Sequence, residues 1–92
     1  MASDEEGTIE YNILHEADYI TKGQRREDYG SVEESFYKIA QLWEPILGVP
    51  ISPRQVALCM IQLKVARYVH GQQRDSLVDI AGYARCLEIL GV

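Results

Sequence analysis

The chain has little cysteine, proline, tryptophan or phenylalanine. Its 92 residues include two cysteines, three prolines, one tryptophan and one phenylalanine. A disulfide-stabilised secreted scaffold has more cysteine, and a disordered proline-rich segment has more proline. Apolar residues make up 47% of the chain and charged residues 25%, which is typical of a folded protein. This length predicts one domain with a small core and excludes a multidomain enzyme.

Positive charge and long apolar runs are also scarce. The net charge is −5, and the largest basic cluster is Arg25-Arg26. A duplex nucleic acid requires several Lys or Arg side chains against its phosphates, so we expect no such partner. The apolar runs are shorter than the roughly 20 residues that span a bilayer, and the acidic start does not resemble a secretory signal. We therefore predict a cytoplasmic protein without membrane contact, in which Cys59 and Cys86 are buried thiols.

Acidic residues are concentrated at the start of the chain. Asp4, Glu5, Glu6 and Glu10 lie within the first ten residues, which leaves ten acids against nine bases in the rest of the sequence. We predict a disordered acidic leader over residues 1–7 and a single helical domain over residues 8–92.

The first two helices are predicted from apolar spacing and from capping residues. Apolar residues recur at helical intervals over 8–22, where Gly23 ends the pattern. Ser31 can cap a second helix, whose carboxylates in the first turn favour the positive end of the helix dipole. Pro45 is expected to kink or end this helix.

Two further helices complete the pattern. The third is expected to begin at Ser52-Pro53 and to run to about His70, with Gly71 terminating it. One stripe of this helix carries Val56, Met60, Leu63 and Arg67. The fourth is expected to open at Asp75-Ser76 and is apolar on nearly every side, which predicts a buried central helix.

These patterns predict an all-α fold, a four-helix arrangement with short loops. A domain of this size buries only about 60–65% of the surface of its unfolded chain. A symmetric assembly covers part of the remainder, so we expect a homo-oligomer, and the apolar last helix fits that expectation.

Charged residues inside apolar helices are the first candidates for function, because an isolated buried charge costs several kcal/mol. Asp75 and Asp79 lie one turn apart on one helix face. In an antiparallel hairpin about residues 71–73, Lys64 and Arg67 come level with these acids. Two interpretations remain open: a pair of interhelical salt bridges, or a site whose acids hold a divalent metal and whose bases hold phosphate.

The polar segment 25–30 is a second candidate. It places Arg25, Arg26 and Tyr29 ahead of a helix N-terminus, where an anion is favoured, although a solvated turn anchored by Tyr29 fits equally well. Glu34 either supplies a further carboxylate or favours the helix dipole. Tyr83 either stacks on a base or packs in the core.

The sequence lacks the common catalytic and nucleotide motifs, including the Ser/His/Asp order, the P-loop, G-x-G-x-x-G and H-E-x-x-H. It contains instead, in order, Arg25-x-x-Asp28-Tyr29-Gly30, Glu34-Ser35-Phe36 with Ile39-Ala40-x-x-Trp43, Leu63-Lys64-x-Ala66-Arg67 and Asp75-x-x-x-Asp79-x-Ala81-Gly82-Tyr83-Ala84. This combination resembles a small uncharacterised all-α family of phages and prophages, over about residues 9–90. That family is distantly similar to the MazG-like nucleotide pyrophosphohydrolases and to the phage nucleotide-modification-associated domains.

The resemblance implies a site that holds Mg²⁺ and a nucleoside triphosphate. In MazG-like enzymes, an E-x-x-E pair and an E-x-x-D pair on adjacent helices bind Mg²⁺ and activate water. By resemblance the metal ligands here would be Asp75, Asp79, Glu34 and Asp28. Phosphate would contact Arg25, Arg26, Lys64 and Arg67, and Tyr29 or Tyr83 would stack on the base. The sequence departs from the pattern, because no full E-x-x-E faces Asp75 and Asp79, and Lys64 and Arg67 stand there instead.

Our leading hypothesis is a phage-type protein that binds a nucleotide small molecule in the host cytoplasm. Whether it is an enzyme that hydrolyses the nucleotide with Mg²⁺ is left open by the sequence. One alternative is a non-catalytic, anti-defence sponge that sequesters a host signalling nucleotide. Another is a structural or protein-interaction module, in which the acid and base pairs lock two helices together.

Overall fold

The computed structural model describes residues 11–23, 27 and 30–91. These residues form helices α1 (Ile13–Lys22), α2 (Val32–Leu47), α3 (Pro53–Gly71) and α4 (Arg74–Leu90). Since no strand occurs among them, the predicted all-α fold with four helices is confirmed for this part of the chain. None of the described helices is long and apolar enough to cross a membrane. The predicted leader, 1–7, lies outside the described residues.

Helix α1 begins later than the sequence pattern indicates. Asn12 caps it, because its side chain accepts hydrogen bonds from the backbone N–H groups of Leu14 and His15. Tyr11 and Asn12 themselves are not helical, so the predicted range 8–22 is wrong at its start. The reason is local: the Asn12 side-chain oxygen satisfies two amide donors that would otherwise lack partners at the first turn.

The caps of α2 and α3 are those that the sequence predicts. Ser31 Oγ accepts from the Glu34 backbone N–H at 3.0 Å, and Ser52 Oγ accepts from the Gln55 N–H at 3.1 Å. Pro53 occupies the first position of α3, where its missing N–H costs nothing.

Helix α2 continues through Pro45 and ends two residues later, at Leu47. Proline lacks the N–H that would bond to the carbonyl four residues earlier, and only two residues of α2 follow it. The end itself is set by Gly48, whose φ of 76° lies in the left-handed region that favours glycine. The Glu44 carboxylate then accepts a hydrogen bond from the Ile51 N–H at 3.1 Å and holds the α2–α3 connection in place.

The boundaries of the α3–α4 hairpin differ by one residue from those predicted. Gly71 is the last residue of α3 rather than its terminator, and Gln72 adopts the left-handed conformation with φ of 53°. Helix α4 begins at Arg74 rather than at Asp75. The two-residue connection Gln72-Gln73 makes α3 and α4 antiparallel neighbours, as predicted.

Helix α4 is the centre of the fold, since it packs against α1, α2 and α3. The main core lies between α2, α3 and α4. Its buried members are Val32, Phe36, Ala40, Val56, Ala57 and Cys86. The central position predicted for α4 is confirmed. Several of its apolar residues, among them Leu77, Ile80 and Leu87, are only half-buried, and the predicted homo-oligomer stays a prediction.

Helix α3 turns a different face inward than the predicted stripe suggests. Val56 is buried and Lys64 is half-buried, whereas Leu63 is 44% exposed and Arg67 is exposed. Helix α3 is apolar around most of its circumference, and therefore the spacing of its apolar residues does not define the side that meets α4.

The two cysteines lie in different environments. Cys86 is buried in the core, as predicted, but Cys59 is exposed on α3, so the prediction of a buried thiol is wrong there. The rotation of α3 that exposes Leu63 also exposes Cys59.

The core assignment predicts different effects for two adjacent aromatic residues. Phe36 is buried, and Phe36→Ala should lower the free energy of unfolding by about 3–5 kcal/mol. Tyr37 is 57% exposed, so Tyr37→Ala should change it by no more than about 0.5 kcal/mol. Urea unfolding followed by circular dichroism measures both values. Equal losses in the two variants would contradict the core described above.

Candidate functional site

A charged pair joins α3 to α4. Lys64 Nζ lies 3.1 Å from Asp79 Oδ2, and the two side chains are 18% and 32% exposed. This is one of the two interhelical salt bridges that the hairpin register predicts. A partly buried pair of this kind neutralises two charges that would each be costly alone.

The second predicted pair does not form. Arg67 and Asp75 are both exposed, and within residues 30–91 no ion pair joins them. Asp75 lies in the first turn of α4, where a carboxylate favours the helix dipole. Arg67 lines a separate opening of about 320 Å³ at the α3–α4 turn, with His70 and Gln73. The four residues expected to form one polar site are therefore divided between two places.

Asp79 faces the interior of the helical packing. It lines a cavity of about 30 Å³ together with Thr21 on α1 and Gly82 and Tyr83 on α4. A space of this size holds one or two water molecules and is too small for a nucleotide. A Cβ atom at Gly82 would lie 3.8 Å from Thr21 Oγ1, an ordinary van der Waals distance, so α1 bounds the space beside this glycine.

Glu34 has a structural partner at the start of α2. Its Oε1 atom accepts from the Ser31 backbone N–H at 3.3 Å, which completes a capping box. Across residues 11–23, 27 and 30–91, no three His, Cys, Asp or Glu side chains lie close enough to hold a metal ion together. Among the predicted ligands, Glu34, Asp75 and Asp79 are thus in separate places, and they do not fit a shared Mg²⁺ site by themselves.

The remaining residues predicted for the site lie outside the described residues. These are Arg25, Arg26, Asp28 and Tyr29. Their roles as phosphate, metal and base contacts stay predictions.

Tyr83 packs in the core. Its ring centroid lies 6.1 Å from that of Phe36, with the two ring planes tilted by 56°. This geometry is typical of a favourable aromatic pair. The packing interpretation of Tyr83 is confirmed, and its use as a stacking surface for a base stays a prediction.

A larger cleft, which sequence reasoning missed, lies between the end of α1, the start of α2 and α4. Its volume is about 520 Å³, within the range of small-molecule sites. Lys22 from α1 and Arg85 from α4 bring two cations to it, and Ser31 and Glu33 belong to the first turn of α2. The apolar part of the lining includes Val32 and Ile89.

The two cations of the cleft have partners on their own helices. Lys22 Nζ lies 3.0 Å from Asp18 Oδ2, and Arg85 Nη1 lies 3.0 Å from Glu88 Oε1. Both acids are largely exposed, at 47% and 71%. Exposed pairs within one helix contribute little, commonly below about 1 kcal/mol. The cations are therefore held in position but remain able to contact a stronger anion.

The sequence did contain one signal for this cleft. Lys22 and Gly30 both line the cleft, and in the sequence they flank the polar segment that contains Arg25, Arg26 and Tyr29. That segment therefore leaves and rejoins the described fold at the cleft wall. Arg85 could not be predicted in the same way, because only the packing of α1 on α4 brings it to the same cleft as Lys22.

A long-range ion pair fixes that packing. Arg74 at the start of α4 donates a hydrogen bond to Glu16 Oε1 on α1, 58 residues away in the sequence. The hydrogen bond that Arg74 donates to Glu16 raises the pKa of the guanidinium above its ordinary value. This contact joins α4 to α1, the two helices that bring Arg85 and Lys22 to the cleft.

Comparison with known proteins shows that this chain is similar to phage proteins. The Gene 55 protein of Mycobacterium phage L5 is 47% identical to it over 79 residues, which cover 84% of this chain and 51% of that protein. The Gene 55 protein of Mycobacterium phage D29 is 44% identical over 78 residues, covering 84% of this chain and 52% of the relative. The chain spans about half the length of these curated relatives.

The chain belongs to the DUF6378 family, described as a domain of unknown function, whose model matches residues 12–90. The predicted likeness to an uncharacterised phage family is thereby confirmed, and the more distant similarity to MazG-like enzymes stays a prediction. No solved structure matches the chain significantly.

The Lys64–Asp79 contact can be measured by a double-mutant cycle with Lys64→Gln and Asp79→Asn. We expect a coupling free energy of about 1–2 kcal/mol, because both side chains are partly withdrawn from water. The matched control is the same pair of substitutions at Lys22 and Asp18, an exposed pair that should give less than about 0.5 kcal/mol. Equal coupling free energies in the two cycles would show that the Lys64–Asp79 pair does not stabilise the contact between α3 and α4.

Proposed function

We propose that the protein binds a nucleotide in the cleft between α1, the start of α2 and α4. The observation that carries this proposal is the meeting of Lys22 and Arg85, from two different helices, at a cleft of about 520 Å³. Nucleotide phosphates are the anions that such a pair would hold. An arginine contacts phosphate through two parallel hydrogen bonds, and a lysine supplies a compact charge.

The start of α2 adds to the attraction for phosphate. Backbone N–H groups at a helix N-terminus carry a partial positive charge and point toward the end of the helix. Ser31 and Val32, the cap and first residue of α2, both line the cleft. Glu33 in the same turn opposes this effect, so Lys22 and Arg85 are the principal phosphate contacts in the proposal.

The rest of the nucleotide would meet two further parts of the molecule. Val32 and Ile89 offer apolar surface to the base or sugar. The predicted roles of Arg25, Arg26 and Tyr29 belong to the same proposal, since their segment joins the chain at Lys22 and Gly30. Arginines there would add phosphate contacts, and the tyrosine ring would stack on the base.

The side-chain contacts favour sequestration of the nucleotide over its hydrolysis. Asp79 is paired with Lys64, and Glu34 completes the cap of α2, so two of the acids predicted to hold Mg²⁺ already have structural partners. In this proposal the protein acts in the host cytoplasm as a sponge for a signalling nucleotide. Hydrolysis of a nucleoside triphosphate with Mg²⁺, which the MazG-like resemblance implies, is the alternative that the experiment separates.

The first experiment offers the protein a pool of ribo-, deoxyribo- and cyclic nucleotides with Mg²⁺. Free nucleotides are quantified by chromatography after ultrafiltration, before and after heat denaturation of the protein. We expect one nucleotide to be depleted and then recovered unchanged on heating. Loss of a nucleotide with appearance of its product would instead identify an enzyme. A pool that stays free and intact would contradict nucleotide binding.

The location of binding is tested with Arg85→Gln and the nucleotide that the pool identifies. Loss of a charge-assisted contact should weaken the affinity by about 10- to 100-fold in titration calorimetry. Arg54→Gln is the matched control, because Arg54 is an exposed arginine on α3 away from the cleft. Equal affinities of the two variants would show that the nucleotide binds elsewhere.

A further inference from the structure

We infer that a second copy of this chain packs against the outward face of α3. This face consists of Leu58, Cys59, Gln62, Leu63, Val65, Ala66 and Val69, all of them exposed. Leu58 is 50% exposed, Leu63 44%, Val65 38% and Val69 73%. The inference does not depend on the proposed nucleotide site, which is built from α1, α2 and α4.

The spacing of these residues suits helix–helix packing. Leu58, Gln62, Val65 and Val69 follow one another at intervals of four, three and four residues. Residues at these intervals form a continuous stripe along a helix, and this is the spacing of the seam in coiled coils. The stripe is about 17 Å long at 1.5 Å per residue, which is enough for three helical turns of contact.

The outward face is uncharged, unlike the outer side of a typical surface helix. Between Arg54 and Arg67 the one charged residue of α3 is Lys64, and its side chain is directed to Asp79 on the inner side. In a contact with twofold symmetry the same patch meets itself, so a charged patch would repel its copy. An uncharged apolar stripe is compatible with a second copy of itself and offers no charge to a charged partner.

The exposed apolar area of this face predicts a weak dimer. If a fully exposed leucine or valine presents roughly 160–180 Å², Leu58, Leu63, Val65 and Val69 present about 350 Å² together. A standard interface buries about 800 Å² on each partner, so this contact lies at the low end of specific interfaces, where association is reversible.

The start of this chain is a poor candidate to cover the same face. Residues 1–10 include four of the 14 acids of the sequence, at Asp4, Glu5, Glu6 and Glu10. Burying these carboxylates against an uncharged apolar stripe would leave them without partners, which is strongly unfavourable. A second copy of α3 brings no such charges.

Sedimentation equilibrium between about 1 and 100 µM tests the inference on the whole chain. We expect the wild-type protein to reach twice the mass of one chain. Leu58→Glu and Val69→Glu should each raise the dimer dissociation constant by at least about tenfold, because each would place two carboxylates in the contact. Leu14→Glu is the control, since Leu14 is 65% exposed and lies on α1, which does not pack against α3.

Cys59 provides a measurement that needs no variant. Its thiol lies on the outward face, whereas Cys86 is buried in the core. The rate at which a disulfide reagent labels Cys59 should fall as the protein concentration rises through the dimer range. Three results would each overturn the inference. The first is a wild-type protein that stays monomeric at every concentration, and the second is a labelling rate that does not depend on concentration. The third is a dimer that Leu14→Glu weakens and Val69→Glu does not.

Discussion

The pairing of Lys64 with Asp79 constrains which way α3 faces, because turning the helix away would leave two partly buried charges without partners. Helix α3 is apolar around most of its circumference, so its apolar residues alone allow several rotations against α4. Lys64 is the single charge in the middle of this helix, and its contact with Asp79 turns it toward α4. Val56 and Ala57 then enter the core, while Leu58, Val65 and Val69 are left outside. One ion pair thus links the packing of the core to the apolar surface proposed as a dimer contact.

Sequence patterns predicted the features that depend on neighbouring residues. The caps Ser31 and Ser52 follow from side-chain oxygens that reach the next turn, and the Lys64–Asp79 pair follows from counting outward from a short hairpin connection. Features set by distant packing were not predictable in this way. The exposure of Cys59 depends on the rotation of α3, and the cleft depends on α1 docking beside α4.

Three of the four acids that suggested a metal site contribute to the fold. Asp79 joins two helices, Glu34 begins a third, and Asp75 favours the dipole of α4. The motifs from which a phage family was predicted therefore contain residues whose roles include folding, and the presence of such motifs does not by itself define a reaction. The cations of the cleft, Lys22 and Arg85, lie outside those motifs and meet at one site only in the folded structure.

The docking of α1 has a consequence for the order of folding and opening. The α3–α4 hairpin forms from contacts between residues close in sequence, whereas the Arg74–Glu16 contact closes a loop of 58 residues. Closing a long loop is entropically slower, so α1 is expected to dock after the hairpin has formed. Helix α1 contributes Ala17 and Thr21 to the buried interior and packs on α4 alone among the described helices. Detachment of α1 would therefore break its contact with one described helix, α4, and would leave the main core between α2, α3 and α4 in place.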